Sequence, residues 1–202
     1  MNLTYATDTS AILRVDSFTP KAVAGRNSVR IESKPTYDTG LFVFDIIHTP
    51  YGCGTWPALW LTDGYNWPVN GEIDILETTN GGSNGNEVTL HTTQGCRMNV
   101  KRKETGSPVY DRCDNSTNGN AGCAVQGDPT TYGQAMNENG GGVGLSRYIV
   151  HETIADFHDL GVCTRAPRCR HPRVVLPTRV HPRRPRQLEQ RPRPVNLGHR
   201  TG

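Results

Sequence analysis

The chain has 202 residues with 22 Lys+Arg against 19 Asp+Glu, a formal charge of +3 and 34% hydrophobic residues. It holds no apolar run near 18 residues, which excludes a membrane-spanning helix on sequence grounds. The charge is not evenly spread: residues 1–146 hold 10 basic and 15 acidic groups, a net −5, whereas residues 147–202 hold 12 Arg, no Lys and 4 acids, a net +8. Such asymmetry argues against one uniform domain and divides the chain at residue 146.

The segment Met1 to Ala6 has neither a basic start nor an apolar stretch, so no signal peptide is expected in this chain. Ile12-Leu13-Arg14-Val15, Ser28-Val29-Arg30-Ile31-Glu32 and Leu41 to Ile47 are short strand-like runs bounded by Pro, Gly and Asn. Glu72-Ile73-Asp74-Ile75 and Glu87 to Thr92 alternate polar and apolar residues, the period of a strand with two unlike faces. Residues 1–146 show no convincing helical periodicity, and many short strands with Gly-rich turns predict an all-β sandwich or barrel. From Gly81 to about Gly144 the chain reads as mostly loop. Cys96, Cys113 and Cys123 fall in that stretch and Cys53 before it. Their spacing is not that of a zinc site, and they read as the disulfide staples of a secreted protein with pairing left open. Ile149 to Leu160 suggests a weak helix, and Arg165 to Arg200 is too poor in large apolar residues to fold.

The chemistry concentrates in Gly71-Glu72-Ile73-Asp74-Ile75-Leu76-Glu77. On a strand, Glu72 and Asp74 share a face. Glu77 is five residues from Glu72 and falls on the other face unless one extra residue, a β-bulge around Ile75-Leu76, returns it. A solvated acidic strand is the plainer alternative, but three acids on one face repel unless something binds them or one keeps its proton. Two carboxyls about 5–5.5 Å apart are what retaining glycoside hydrolysis needs, and a third between them tunes both. Trp56 and Trp60, four apart, are expected to face one way on a strand, and Trp67 follows shortly before the acids. Aromatic walls with few polar groups suit the C–H faces of sugars.

Glu72 to Glu77, with Gly54-Thr55-Trp56-Pro57-Ala58-Leu59-Trp60 upstream and Val88-Thr89-Leu90-His91-Thr92 downstream, resembles glycoside hydrolase family 16, in its fungal laminarinase-like endo-1,3(4)-β-glucanase branch. Gly25 to Ile31 and the Gly140-Gly141-Gly142 run are also similar, and the resemblance covers about residues 5–143. It implies a concanavalin-type β-jelly-roll sandwich with a cleft on its concave sheet. It implies retaining endo-hydrolysis of β-1,3- or mixed β-1,3/1,4-glucan by an extracellular monomer, with no metal and no cofactor. By position, Glu72 is the nucleophile, Asp74 assists it and Glu77 is the acid/base. Trp56 and Trp60 would line sugar subsites, and His91 would approach the carboxylates or the sugar. The substrate partner is a polysaccharide, with neither nucleic acid nor membrane involved. A non-catalytic glucan-binding module and a transglycosylase of the same fold are the alternatives.

The ends depart from the family. After Gly142 the family continues with aromatic-rich strands, whereas this chain runs into Arg and Pro. The 147–202 tail has three readings: a nucleic-acid-binding segment, a solvated linker, or the product of a frame change or unspliced intron. Arg and Pro without Lys favour the last, since only the first two have GC-rich codons. An incomplete sandwich is expected to be poorly folded and weakly active or inactive despite an intact motif.

Overall fold

The computed structural model describes residues 2–37, 40–98 and 105–148. The expected Ile149 to Leu160 helix and nearly all of the Arg/Pro tail lie outside them. The described chain is built from antiparallel sheets. A small ribbon pairs β1 (Thr4–Ala6) with β2 (Ala11–Leu13). A second pairs β3 (Gly40–Ile46) with β9 (Gly142–Tyr148), so that strand crosses the residue-146 boundary by two residues. The third sheet has five strands in the order β4 (Ala58–Thr62), β5 (Glu72–Glu77), β6 (Glu87–His91), β8 (Cys123–Gln126) and β7 (Ser107–Pro108).

Alternation explains the strands that were foreseen. On β5, Ile73 and Ile75 are buried, and in β3 Phe42 and Phe44 are half-buried with their rings stacked at 6.5 Å. Burial of each such side chain contributes about 1.5–3 kcal/mol when complete. Ser28 to Glu32, expected as a strand, is not one. Its alternation serves a side-chain contact instead: the Arg30 guanidinium lies 4.7 Å from the Trp60 ring centroid. Pattern alone does not supply a partner strand.

The stretch from Gly81 to Gly144 is more ordered than its Gly/Asn content suggests. It holds β6, β7, β8, a 3-10 turn over Pro129–Thr131 and a helix, α1, over Gly133–Glu138. This one short helix leaves the all-β reading standing. At six residues α1 is too short to show periodicity, and tertiary bonds hold it. Asn137 Oδ1 accepts from the Thr49 N–H at 2.8 Å, and its Nδ2 donates to the Thr49 carbonyl at 2.9 Å. Stapling of this region does occur. Cys113 and Cys123 are disulfide-bonded and form a buried cluster with Cys96, against which Leu90 and Met98 pack. Cys53 is exposed and free, so it is not one of the staples.

Gly141 closes the loop after α1. Its φ is +89°, and a Cβ there would lie 2.0 Å from the Ile46 carbonyl oxygen. Only glycine lets the chain approach β3 this closely and then pair with it.

Candidate active site

Strand β5 lies between β4 and β6, so cross-strand pairing decides what surrounds its carboxylates. Against β6, Glu72 pairs with His91, Asp74 with Thr89 and Glu77 with Glu87. Three steps on β5 thus match two on β6. Against β4, Asp74 pairs with Trp60 and Leu76 with Leu59. The extra residue falls at Ile75-Leu76, where the five-residue spacing required it. Paired residues share a face in an antiparallel sheet, so the bulge returns Glu77 to the face of Glu72 and Asp74.

The bulge interrupts the ladder of hydrogen bonds, and Asn86 mends it. Its Oδ1 accepts from the Glu77 N–H at 2.8 Å, while its Nδ2 donates to the Ile75 carbonyl at 2.9 Å. A buried backbone group without a partner costs about 1–3 kcal/mol, which this amide averts twice.

Asp74 is the centre of the cluster and is 1% exposed. His91, nearly as buried, brings Nε2 to 3.2 Å from Asp74 Oδ2, and its Nδ1 lies 3.2 Å from Asn120 Oδ1. That Asp74 oxygen has no well-aligned donor, so the contact with His91 is chiefly one of charge and proximity. Burial works against a charged His91, but the Asp74 carboxylate, the Glu72 charge and Asn120 outweigh it and raise its proton affinity. Burial and the Asp74 charge push the Glu72 carboxyl from an ordinary 4.5 to about 7, opposed by His91 and a hydrogen bond from Trp67. Burial and the Asp74 charge also raise Glu77, opposed by Trp56, whose Nε1 donates to Glu77 Oε1 at 2.6 Å. Glu87 is raised for the same two reasons. Two outer carboxyls that hold protons readily therefore flank a buried inner one. Such a set can both give and take a proton near neutrality.

The aromatic residues are arranged differently from the expected pair on one strand. Trp56 precedes β4 and is 72% exposed beside Glu77, at one end of the carboxylate row. Trp60 lies on β4 and lines an open groove with Arg30, Thr62, Gly64, Trp67 and Glu72 at the other end. Each outer carboxyl thus has an indole near it that favours its ionised form, Trp56 at 2.6 Å from Glu77 and Trp67 beside Glu72. Arg30, Thr62, Asn86, Glu87 and Asn120 were not singled out from sequence. Only the alternation of Glu87 with Thr89 and His91 hinted at one of them. Among the described residues, Glu72, Asp74 and His91 bring possible ligand atoms within 4.8 Å of one another. A cation held by all three would require both carboxyls to be ionised.

The antiparallel sheets thus carry a row of bulge-aligned carboxyls flanked by tryptophans, two of which, Trp60 and Trp67, line a groove. A family model described as XgeA-like, catalytic GH16 domain matches residues 1–153, and the chain belongs to that family, glycoside hydrolase family 16. It is 48% identical over 120 residues to an endo-1,3(4)-β-glucanase, xgeA, of Emericella nidulans, a match covering 59% of this chain and 19% of that protein. Laminarinase 16A from Phanerochaete chrysosporium, solved with β-glucans in both donor and acceptor sites, superposes with a TM-score of 0.69 at 46% identity, covering 74% of this chain and 52% of that one. An elongating family 16 β-1,3-glucosyltransferase superposes with a TM-score of 0.64 at 40% identity, covering 73% and 50%. The all-β jelly-roll class expected from the sequence is thereby borne out. The chain spans about a third or less of the length of the curated relatives it matches.

Proposed function

We propose that the chain carries the catalytic face of a retaining endo-β-1,3(4)-glucanase acting on laminarin-like polysaccharide. The observation that carries this reading is the bulge, which aligns Glu72, Asp74 and Glu77 on one face beside tryptophans. In this scheme Glu72 attacks the anomeric carbon as the glycosidic C–O bond breaks. Glu77 gives its proton to the departing oxygen. Water then attacks the glycosyl ester, Glu77 takes the water's proton, and Glu72 leaves as carboxylate. Asp74 holds His91, and its charge raises the proton affinity of both outer carboxyls. Trp56 and Trp60 offer ring faces to sugar at the two ends of the row. The catalytic domain is assigned to residues 1–146, with the 147–202 tail outside it, in an extracellular monomer without cofactor. Among the described residues no helix is long and apolar enough to cross a membrane.

The test is laminarin and mixed-linkage glucan supplied to the purified chain, with NMR of the first anomer released. Retained β-configuration, lost in Glu72→Gln and Glu77→Gln, supports the scheme. An inverted product, or activity indifferent to both substitutions, overturns it. The similarity to an elongating glucosyltransferase favours transfer as a second reading. Products longer than the laminari-oligosaccharide supplied would establish transfer in place of hydrolysis.

A further inference from the structure

The side chain of Asn86 occupies an unusual place. It stands where a residue of β6 would bond to the bulged strand, and it serves both backbone groups that the bulge leaves over, the Glu77 N–H and the Ile75 carbonyl. Its own backbone is held just as firmly. The Asn86 N–H donates to Thr131 Oγ1 at 2.8 Å, and its carbonyl accepts from Gln126 Nε2 at 3.0 Å and from the Gly127 N–H at 2.7 Å. Thr131 Oγ1 in turn donates to the Asp128 carbonyl at 2.6 Å. Gly85 lets this segment in: its φ is +93°, and a Cβ would lie 2.1 Å from the Asp128 oxygen. An asparagine with every polar group engaged is a rigid spacer between the 126–131 segment and the backbone of Glu77.

We propose that Asn86 is the positioning residue for Glu77, fixing the bulge so that the carboxyl meets both the Trp56 indole and the scissile oxygen. It touches no substrate and acts only through the Glu77 backbone. The proposal rests on Glu77 being the acid/base. Amide chemistry is required because one group must accept from N–H and another donate to C=O across the same gap. Alanine supplies neither bond, and an ionised aspartate supplies only the first. Released from this brace, the bulge can move its residue along the strand, and misplacement of a reacting group by about 1 Å can cost roughly 100-fold in rate.

The Trp56–Glu77 bond gives a readout independent of turnover. The chain has three tryptophans, hence three indole N–H signals in a 15N spectrum. Those of Trp56 and Trp67 report on Glu77 and Glu72 respectively. In Asn86→Ala of the full chain, the Trp56 signal should move upfield while Trp67 stays in place. Hydrolysis of glucan should fall about 10–100-fold, with less loss on an aryl glycoside whose leaving group needs no proton. In Asn86→Asp the new carboxyl matches the amide's donor and acceptor when protonated. The Trp56 signal should therefore agree with wild type at low pH and diverge once that carboxyl ionises. This variant carries the test if the alanine variant does not fold. Trp56 and Trp67 shifting together with a lowered melting temperature would mean general loosening and overturn the proposal. So would an unmoved Trp56 signal or unchanged glucan hydrolysis in a variant lacking the bonds. If Glu77→Gln itself leaves hydrolysis intact, the acid/base reading fails instead, and the Trp56 signal still decides whether Asn86 places Glu77.

Discussion

Glu72 should weaken the fold that holds it. Its carboxyl is half-buried beside Asp74, and its pKa rises from 4.5 to about 7. The folded state therefore binds this proton more tightly than the unfolded state. The associated stability is present below about pH 4.5 and is lost as pH rises to about 7. A change of that size corresponds to about 3 kcal/mol at roughly 1.4 kcal/mol per tenfold change in affinity. Screening at a half-open side chain reduces it to about 1–2 kcal/mol. Glu72→Gln has no proton to lose and still accepts from the Trp67 indole. It should match wild type near pH 4 and exceed it at pH 8 by that amount, or roughly 3–8 °C in melting temperature, while losing glucan hydrolysis. Thermal melts of both proteins between pH 4 and pH 8.5 measure the difference. Equal slopes with pH, or a Gln variant less stable at pH 8, would refute the argument that burial and Asp74 set the proton affinity of Glu72.

Other consequences follow from the same contacts. His91 supports the ionised form of Glu72, so His91→Asn should raise the Glu72 pKa and move the acidic limb of the kcat/KM profile to higher pH. Gly141→Ala forces a Cβ to 2.0 Å from the Ile46 oxygen at a positive φ; it should cost more than about 3 kcal/mol, read as a sharp fall in urea midpoint. Replacing Cys113 and Cys123 together by Ser opens a link of sequence separation 10 and should remove about 2–3 kcal/mol in equilibrium unfolding. The carboxylate face should persist in that variant, with the Trp56 and Trp67 indole signals unchanged.

The parts of this site that share one strand were open to reading from sequence. Glu72 and Asp74 declared their common face by a spacing of two, and the fifth-residue offset of Glu77 required the bulge later found at Ile75-Leu76. His91 came from the family resemblance, and it does pair across from Glu72. What escaped were contacts made across long separations. Asn86 sits in a Gly/Asn-rich stretch where one Asn looks like another, and its role depends on the gap it fills. Arg30 was taken for part of a strand because alternation cannot say whether a partner is a backbone or a ring. Trp56 and Trp60 looked like a pair at a spacing of four, but β4 begins only at Ala58 and the two rings serve opposite ends of the row.

The hydrogen bond from Trp56 to Glu77 makes one ring answer to one proton. An indole N–H donates far more strongly to a carboxylate than to a neutral acid, so the orientation of this exposed ring follows the charge on Glu77. The dependence runs both ways, because coupling between two equilibria is reciprocal. Whatever lies against Trp56 and holds it in place shifts the proton affinity of Glu77, and each change of that proton loosens or tightens the grip of the ring. Occupancy at the rim and protonation of Glu77 are thus a single linked equilibrium, which pH titration of the Trp56 indole N–H signal with and without added saccharide would display as two displaced curves.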